Sequence, residues 1–94
     1  MNDTQYVVRI LYCPQCKWLA RAAWYAQEVL TTFTSDLTAV SLVPSGTAGL
    51  FQIEIGDVVI MDRAKDGFMD AKAVKQRLRD IIDPMRSLGH TDAT

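Results

Sequence analysis

Tyr6-Val7-Val8-Arg9-Ile10-Leu11-Tyr12 is almost continuously apolar and rich in β-branched and aromatic residues. That pattern predicts a central strand buried on both faces. It stops at Cys13-Pro14, and the period then changes. Over residues 15–32, Leu19, Ala23, Ala26 and Leu30 recur at helical spacing, with Trp24 and Val29 beside them. An amphipathic helix is expected there, with Trp24 in the core. Pro14 fits its first turn, where a missing N–H leaves no bond unmade. Thr31-Thr32-Phe33-Thr34-Ser35-Asp36 weakens the helix and supplies turn residues.

Residues 37–43 read as a second strand stopped by Pro44, followed by the only Gly/Ser-rich loop, residues 45–49. Residues 50–55 and 58–62 are two further strands. The Gly56-Asp57 spacer between them is a hairpin signal, because glycine accepts the positive φ of a tight turn. Residues 63–67 form a charged loop. Asp70 can cap a last helix whose apolar stripe is Val74, Leu78, Ile81, Ile82 and Met85, and Pro84 should end it near Asp83.

The order β-α-β-β-β-α in 94 residues describes one α/β domain with a single core. The first strand–helix–strand unit has the length of a parallel crossover. We expect a four-stranded mixed sheet in the order 2-1-3-4, with strands 3 and 4 antiparallel to strand 1 and both helices packed on it. Residues 87–94 are polar and read as a frayed tail.

Composition narrows the function. Hydrophobic residues make up 49% and the net charge is −1, with the basic residues Lys72, Lys75, Arg77 and Arg79 flanked by the acids Asp70 and Asp80 and read as a solvated helix face. A globular chain is indicated, without an electrostatic footprint for nucleic acid. No apolar stretch nears the roughly 20 residues of a membrane helix. The first residues lack the basic-then-apolar order of a secretory signal, so the expected compartment is the reducing cytosol. There, two close cysteines point to catalysis or metal binding rather than to a structural staple.

Those cysteines are Cys13 and Cys16, in Tyr12-Cys13-Pro14-Gln15-Cys16-Lys17. A thiolate is the reactive form, and a free thiol with a pKa of about 8.5 is little ionised at neutral pH. A strand-to-helix junction would stabilise the anion through unpaired N–H groups and the positive helix end. Pro14 would fix the geometry, Gln15 completes the two-residue spacer, and Lys17 adds a cation. A Cys-x-x-Cys pair in a strand–helix–strand unit is a thioredoxin-like redox motif. Two other readings compete. A structural zinc site needs four ligands, and the chain offers two cysteines and one remote histidine, His90. Alternatively, both cysteines are small buried hydrophobes.

Three segments together resemble one family. They are the strand running into Tyr12-Cys13-Pro14-Gln15-Cys16, then Gly49-Leu50-Phe51-Gln52-Ile53-Glu54-Ile55 with its hairpin, then Asp66-Gly67-Phe68-Met69-Asp70 before the last helix. In this order the sequence resembles the selenoprotein W-like (SelT/SelW/SelH, or Rdx) proteins. The resemblance implies a thioredoxin-like fold, redox chemistry without a bound cofactor, and glutathione or thioredoxin among the thiol and disulfide partners. In that family selenocysteine can occupy the position of Cys16, whereas thioredoxin analogy makes Cys13 the attacker. We take Cys13 as the more exposed thiol. Thioredoxins place a cis-proline before the third strand; here Pro44 or the backbone around Gly46 is the candidate for substrate docking.

Other residues have a bland reading beside the functional one. Trp18 could be an apolar docking surface, Tyr12 is expected to pack, and Phe68 is expected to plug the space under the last helix. Lys17 and Arg21 read as solvated, and Asp62, Arg63, Lys65 and Asp66 as loop charges. The expected function is a small thiol–disulfide oxidoreductase or a redox-responsive thiol protein. The alternatives are a non-catalytic interaction module using a strand edge, Trp18 and the Phe68 loop, and a metal-binding protein.

Overall fold

A computed structural model describes residues 6–89. The first strand, β1 (Tyr6–Tyr12), leads through a turn to α1 (Leu19–Phe33) and then β2 (Leu37–Pro44). The hairpin β3 (Phe51–Ile55) and β4 (Val58–Asp62) follows, then a one-turn α2 (Arg63–Asp66) and α3 (Ala71–Ile82). The sheet order is β2-β1-β3-β4, the thioredoxin-like arrangement. β2 runs parallel to β1, and β3 antiparallel to it. β4 is antiparallel to β3 and so runs in the direction of β1. The expectation that strands 3 and 4 both oppose strand 1 is corrected: a two-residue hairpin reverses the chain, so only one arm can. Gly56 makes that reversal at φ +57°.

β1 is buried on one face only. Val8, Ile10 and Tyr12 lie opposite Ile55, Ile53 and Phe51, and all six are buried. The alternate residue Arg9 is exposed and pairs with Glu54 across the strands at 2.9 Å. Helices cover one face because α1 lies against β1 and β2 while α3 lies against β4 and α1.

The buried stripe of α1 is Ala22, Tyr25, Val29 and Phe33. It is turned about one residue, roughly 100°, from the stripe expected at Leu19, Ala23, Ala26 and Leu30. The large rings of Tyr25 and Phe33 take the core, which turns Leu19 and Trp24 outward at 52% and 45% exposure. Trp24 is therefore not a core residue.

Three more departures have local causes. Residues 63–66 form α2 because the Asp62 carboxylate accepts from the Ala64 N–H at 3.0 Å and caps the turn. β4 carries a bulge: Ile53 pairs with Met61 and Glu54 with Val59, so the adjacent Ile60 and Met61 are both buried. β2 extends to Pro44, which an edge strand tolerates because proline's missing N–H removes no ladder bond there.

The Asp70 carboxylate caps α3 by accepting from the Ala73 N–H at 2.8 Å. Val74 and Leu78 are buried, and Ile81 and Ile82 pack on the core. Met85 lies beyond the helix end, 91% exposed and outside the stripe. The following segment returns to the α1–β2 turn, where Arg86 donates to both oxygens of Asp36 at 2.7 and 2.8 Å. Residues 90–94 of the expected tail, including His90, lie outside the described residues. Among the described residues no helix is long and apolar enough to cross a membrane.

The Arg86 hydrogen bond holds the Asp36 carboxyl below the usual carboxylate range. A depressed folded pKa stabilises the fold above the unfolded-state pKa of about 3.9, and that contribution disappears as pH falls through the lower folded value. Asp36→Asn should therefore be less stable than wild type at neutral pH, with the difference closing on acidification below about pH 4. Urea unfolding of both proteins across pH 2.5–7 checks the sign.

Candidate redox site

Tyr12, the last residue of β1, is buried and sits between Phe51 on β3 and Pro44 on β2. Its carbonyl accepts from the Ser45 N–H at 2.8 Å, so the loop after β2 runs beside the point where the chain leaves the sheet. The chain then folds into two overlapping turns. The Cys16 N–H donates to the Cys13 carbonyl at 3.3 Å, and the Lys17 N–H to the Pro14 carbonyl at 3.0 Å. Cys13 and Cys16 are joined as a disulfide with Cα atoms 5.3 Å apart. Pro14, Gln15 and Lys17 line the exposed outside of the turn.

Lys17 has φ +64° and is the only non-glycine with positive φ among the described residues. A left-handed conformation costs an L-residue roughly 1–2 kcal/mol. It also stops the turn from continuing as α-helix. Trp18 is the N-cap, and the first helical bond runs from the Ala22 N–H to the Trp18 carbonyl at 2.9 Å. The helix expected from residue 15 thus starts at Leu19, and Pro14 occupies a turn position, which its fixed φ also suits. Lys17 and Trp18 separate Cys16 from the first helical residue, and the helix-end field fades over about one turn. The expectation that the helix starts at the cysteines and that its positive end stabilises the thiolate is corrected to this extent: both cysteines precede α1.

The two sulfur-bearing residues differ in access. Cys13 is 2% exposed, whereas Cys16 is half-buried. The expectation that Cys13 is the more exposed thiol is overturned: its residue continues β1 into the core, and Cys16 lies at the outer end of the turn.

Trp18 anchors the far end of the turn. It is half-buried, with its ring edge-on to Phe51 at 6.0 Å and to Phe68 at 5.2 Å. Phe51 and Phe68 meet at 5.1 Å, and Tyr25 approaches Phe51 at 5.7 Å. Phe68, which follows Gly67 at φ +70°, is partly buried against the core and packs on the tryptophan of the site. The Tyr25 hydroxyl donates to the Met69 carbonyl at 2.6 Å and pins the same loop to α1. Burial raises the pKa of Tyr25, so the hydroxyl stays protonated as a donor.

Two arginines read as ordinary charges belong to this cluster. Arg21 lies over the Phe68 ring at 4.1 Å. Arg63 lies over the Trp18 ring at 5.0 Å and donates to the Gly49 carbonyl through Nε at 3.2 Å and Nη2 at 3.1 Å. The spacing of Arg21 and Phe68, or of Arg63 and Trp18, carries no sequence signal, because each pair meets only in the fold. Pro44 is exposed beside Tyr12. Gly46 is exposed too, and a side chain there would meet nothing within 4 Å. Among the described residues no group of three or more His, Cys, Asp or Glu side chains is placed to hold a metal ion.

This arrangement has known counterparts. The model of the Rdx family matches residues 7–80, from β1 through most of α3. The chain belongs to the Rdx family. A crystal structure from Bordetella parapertussis is 51% identical, covers 83% of this chain and 99% of its own, and superposes with a TM-score of 0.78. The crystal structure of a selenoprotein W-related protein from Vibrio cholerae is 43% identical, covers 85% of this chain and all of its own, with a TM-score of 0.81. No curated protein matches the chain. Membership in the Rdx family and the bonded Cys13–Cys16 pair together make this a redox-related thiol protein.

The difference in access gives a direct test on the reduced protein. Brief treatment with limiting iodoacetamide should label Cys16 before Cys13, as read by peptide mass spectrometry. Preferential labelling of Cys13 would contradict the assigned geometry.

Proposed function

We propose that this Rdx protein is a thiol–disulfide oxidoreductase in which Cys16 attacks and Cys13 resolves. The observation that carries this reading is a Cys-x-x-Cys pair closed into one bond, with one sulfur-bearing residue reachable and the other sealed. A resolving thiol gains from burial, since it needs to meet only its neighbour. An attacking thiol must meet a partner, and Cys16 is the member of the pair that is only half-buried.

In the reduced protein the Cys16 thiolate attacks one sulfur of a partner disulfide. The partner S–S bond breaks, its second sulfur leaves as a thiolate and takes up a proton, and a mixed disulfide forms at Cys16. Cys13 then loses its proton and attacks the Cys16 sulfur. The partner leaves as a second thiol, and Cys13–Cys16 closes. Two electrons have passed from the dithiol to the partner. Two equivalents of a thiol such as glutathione, or one dithiol such as thioredoxin, reverse these steps and reload the pair. The cytosol, which keeps thiols reduced, suits such a cycle.

Single cysteine variants separate the roles. Cys13→Ser should accumulate a stable mixed disulfide at Cys16 when mixed with oxidised glutathione, because the resolving sulfur is missing. Cys16→Ser should form the adduct at Cys13 at least about tenfold more slowly, reflecting its burial. Intact-protein mass spectrometry over time reads both. A fast adduct on Cys13 and none on Cys16 would reverse the assignment, and no adduct on either variant would remove the function.

A further inference from the structure

Beside the redox turn lies a shallow cleft of about 380 Å³ lined by Lys17, Trp18, Ala20, Arg21 and Trp24. Ala20, Arg21 and Trp24 lie on one exposed face of α1, and Lys17 and Trp18 on the turn before it, so the cleft spans the start of the helix and that turn. Lys17 follows Cys16 directly in the chain, so the cleft begins one residue from the half-buried cysteine. Among the described residues, its two cations are not neutralised by a neighbouring carboxylate, a property they share with Arg63 and Lys65 but not with most of the other basic residues. Arg9, Lys75, Arg77, Arg79 and Arg86 each have a carboxylate within ion-pair distance. Among the described residues, Lys17 and Arg21 make no ion pair. Glu28, one turn beyond Trp24, is taken by Lys75 at 3.1 Å. In a chain of net charge −1, this face is locally positive.

Trp24 adds an apolar part. It is 45% exposed, yet its ring is set edge-on against the buried Tyr25 at 5.1 Å. Arg21 is likewise positioned by the Phe68 ring. A partly fixed indole and a partly fixed guanidinium lose less freedom on binding than free side chains would. Two cations are few for tracking a nucleic-acid backbone, where affinity grows with the number of phosphates neutralised. They do match side-chain carboxylates next to an apolar residue.

Resting on the redox reading above, we propose that this face docks an extended protein segment in which Asp or Glu residues flank the disulfide-bonded cysteine. The carboxylates meet Lys17 and Arg21, an apolar residue lies on Trp24, and the segment's sulfur is delivered to Cys16. The exchange itself is the one written above, so the cleft selects the partner and adds no chemical step.

The test uses the reduced full-length protein and two disulfide-linked peptide dimers that differ only in having Glu or Lys beside the cysteine. The rate of mixed-disulfide formation is divided by the rate of the same peptide with β-mercaptoethanol, which removes the effect of the flanking charges on the peptide's own reactivity. The acidic peptide should react about tenfold faster than the basic one at low salt, with the ratio falling toward one in 1 M salt, where the screening length is about 3 Å. Arg21→Glu should bring the ratio to one or below, and Arg21→Gln should give an intermediate value. Equal normalised rates in wild type, or a ratio unchanged by both Arg21 variants, would overturn the docking face and leave the redox function standing. Reaction with neither peptide would overturn the redox function itself. Competition against the acidic peptide by a single-stranded oligonucleotide would move the face to a nucleic-acid ligand and overturn the peptide assignment.

Discussion

The turn that carries the two sulfurs is anchored by burial at both ends. Tyr12 sits in the sheet at its start, and Trp18 sits against Phe51 and Phe68 at its finish. Between these rings only a short stretch of chain is left to choose a path. Two backbone hydrogen bonds and a left-handed Lys17 define that path. Burying an aromatic side chain is worth about 1.5–3 kcal/mol, more than the roughly 1–2 kcal/mol cost of the Lys17 conformation. Aromatic packing can thus impose a backbone that a lysine would not adopt by itself, and that backbone puts Cys16 outward and Cys13 inward.

The same cluster links the site to the rest of the fold. Phe51 belongs to β3, and Phe68 to the loop between α2 and α3. Arg63 spans from Trp18 to the Gly49 carbonyl in the loop before β3. Tyr25 ties α1 to the Phe68 loop through Met69. The site is therefore assembled from the β1 end, the α1 start and the loops on either side of the hairpin. A sheet covered on a single face makes this possible, because both major helices and every ring of the cluster lie on one side of it.

Much of this was legible in the chain. β1 and the Gly56-Asp57 hairpin follow from local patterns strong enough to stand alone, as does the Asp70 cap, and strand order followed from connection lengths. The central motif was equally plain, since Cys-x-x-Cys after an apolar strand has few other uses. What escaped depended on contacts distant in sequence. The start of α1 moved because Lys17 takes a conformation set by neighbours on either side of the turn. The stripe of α1 rotated because Tyr25 and Phe33 outcompete the smaller Ala23 and Ala26 for the core. Arg21 and Arg63 looked like solvated charges because their aromatic partners, Phe68 and Trp18, lie far along the chain. The relative exposure of the two cysteines was misjudged for the same reason: it depends on where the helix begins.

The central claim is that this turn holds two sulfurs as a reversible pair under cellular redox conditions. Equilibration of the wild-type chain in glutathione buffers of stepped ratio, followed by acid quenching and counting of free thiols by mass, measures it directly. A single two-electron transition between a two-thiol and a no-thiol form is expected, with a midpoint inside the roughly −270 to −120 mV span of dithiol oxidoreductases. A chain that keeps both thiols free in every buffer, or whose bond resists reduction throughout, would contradict the account.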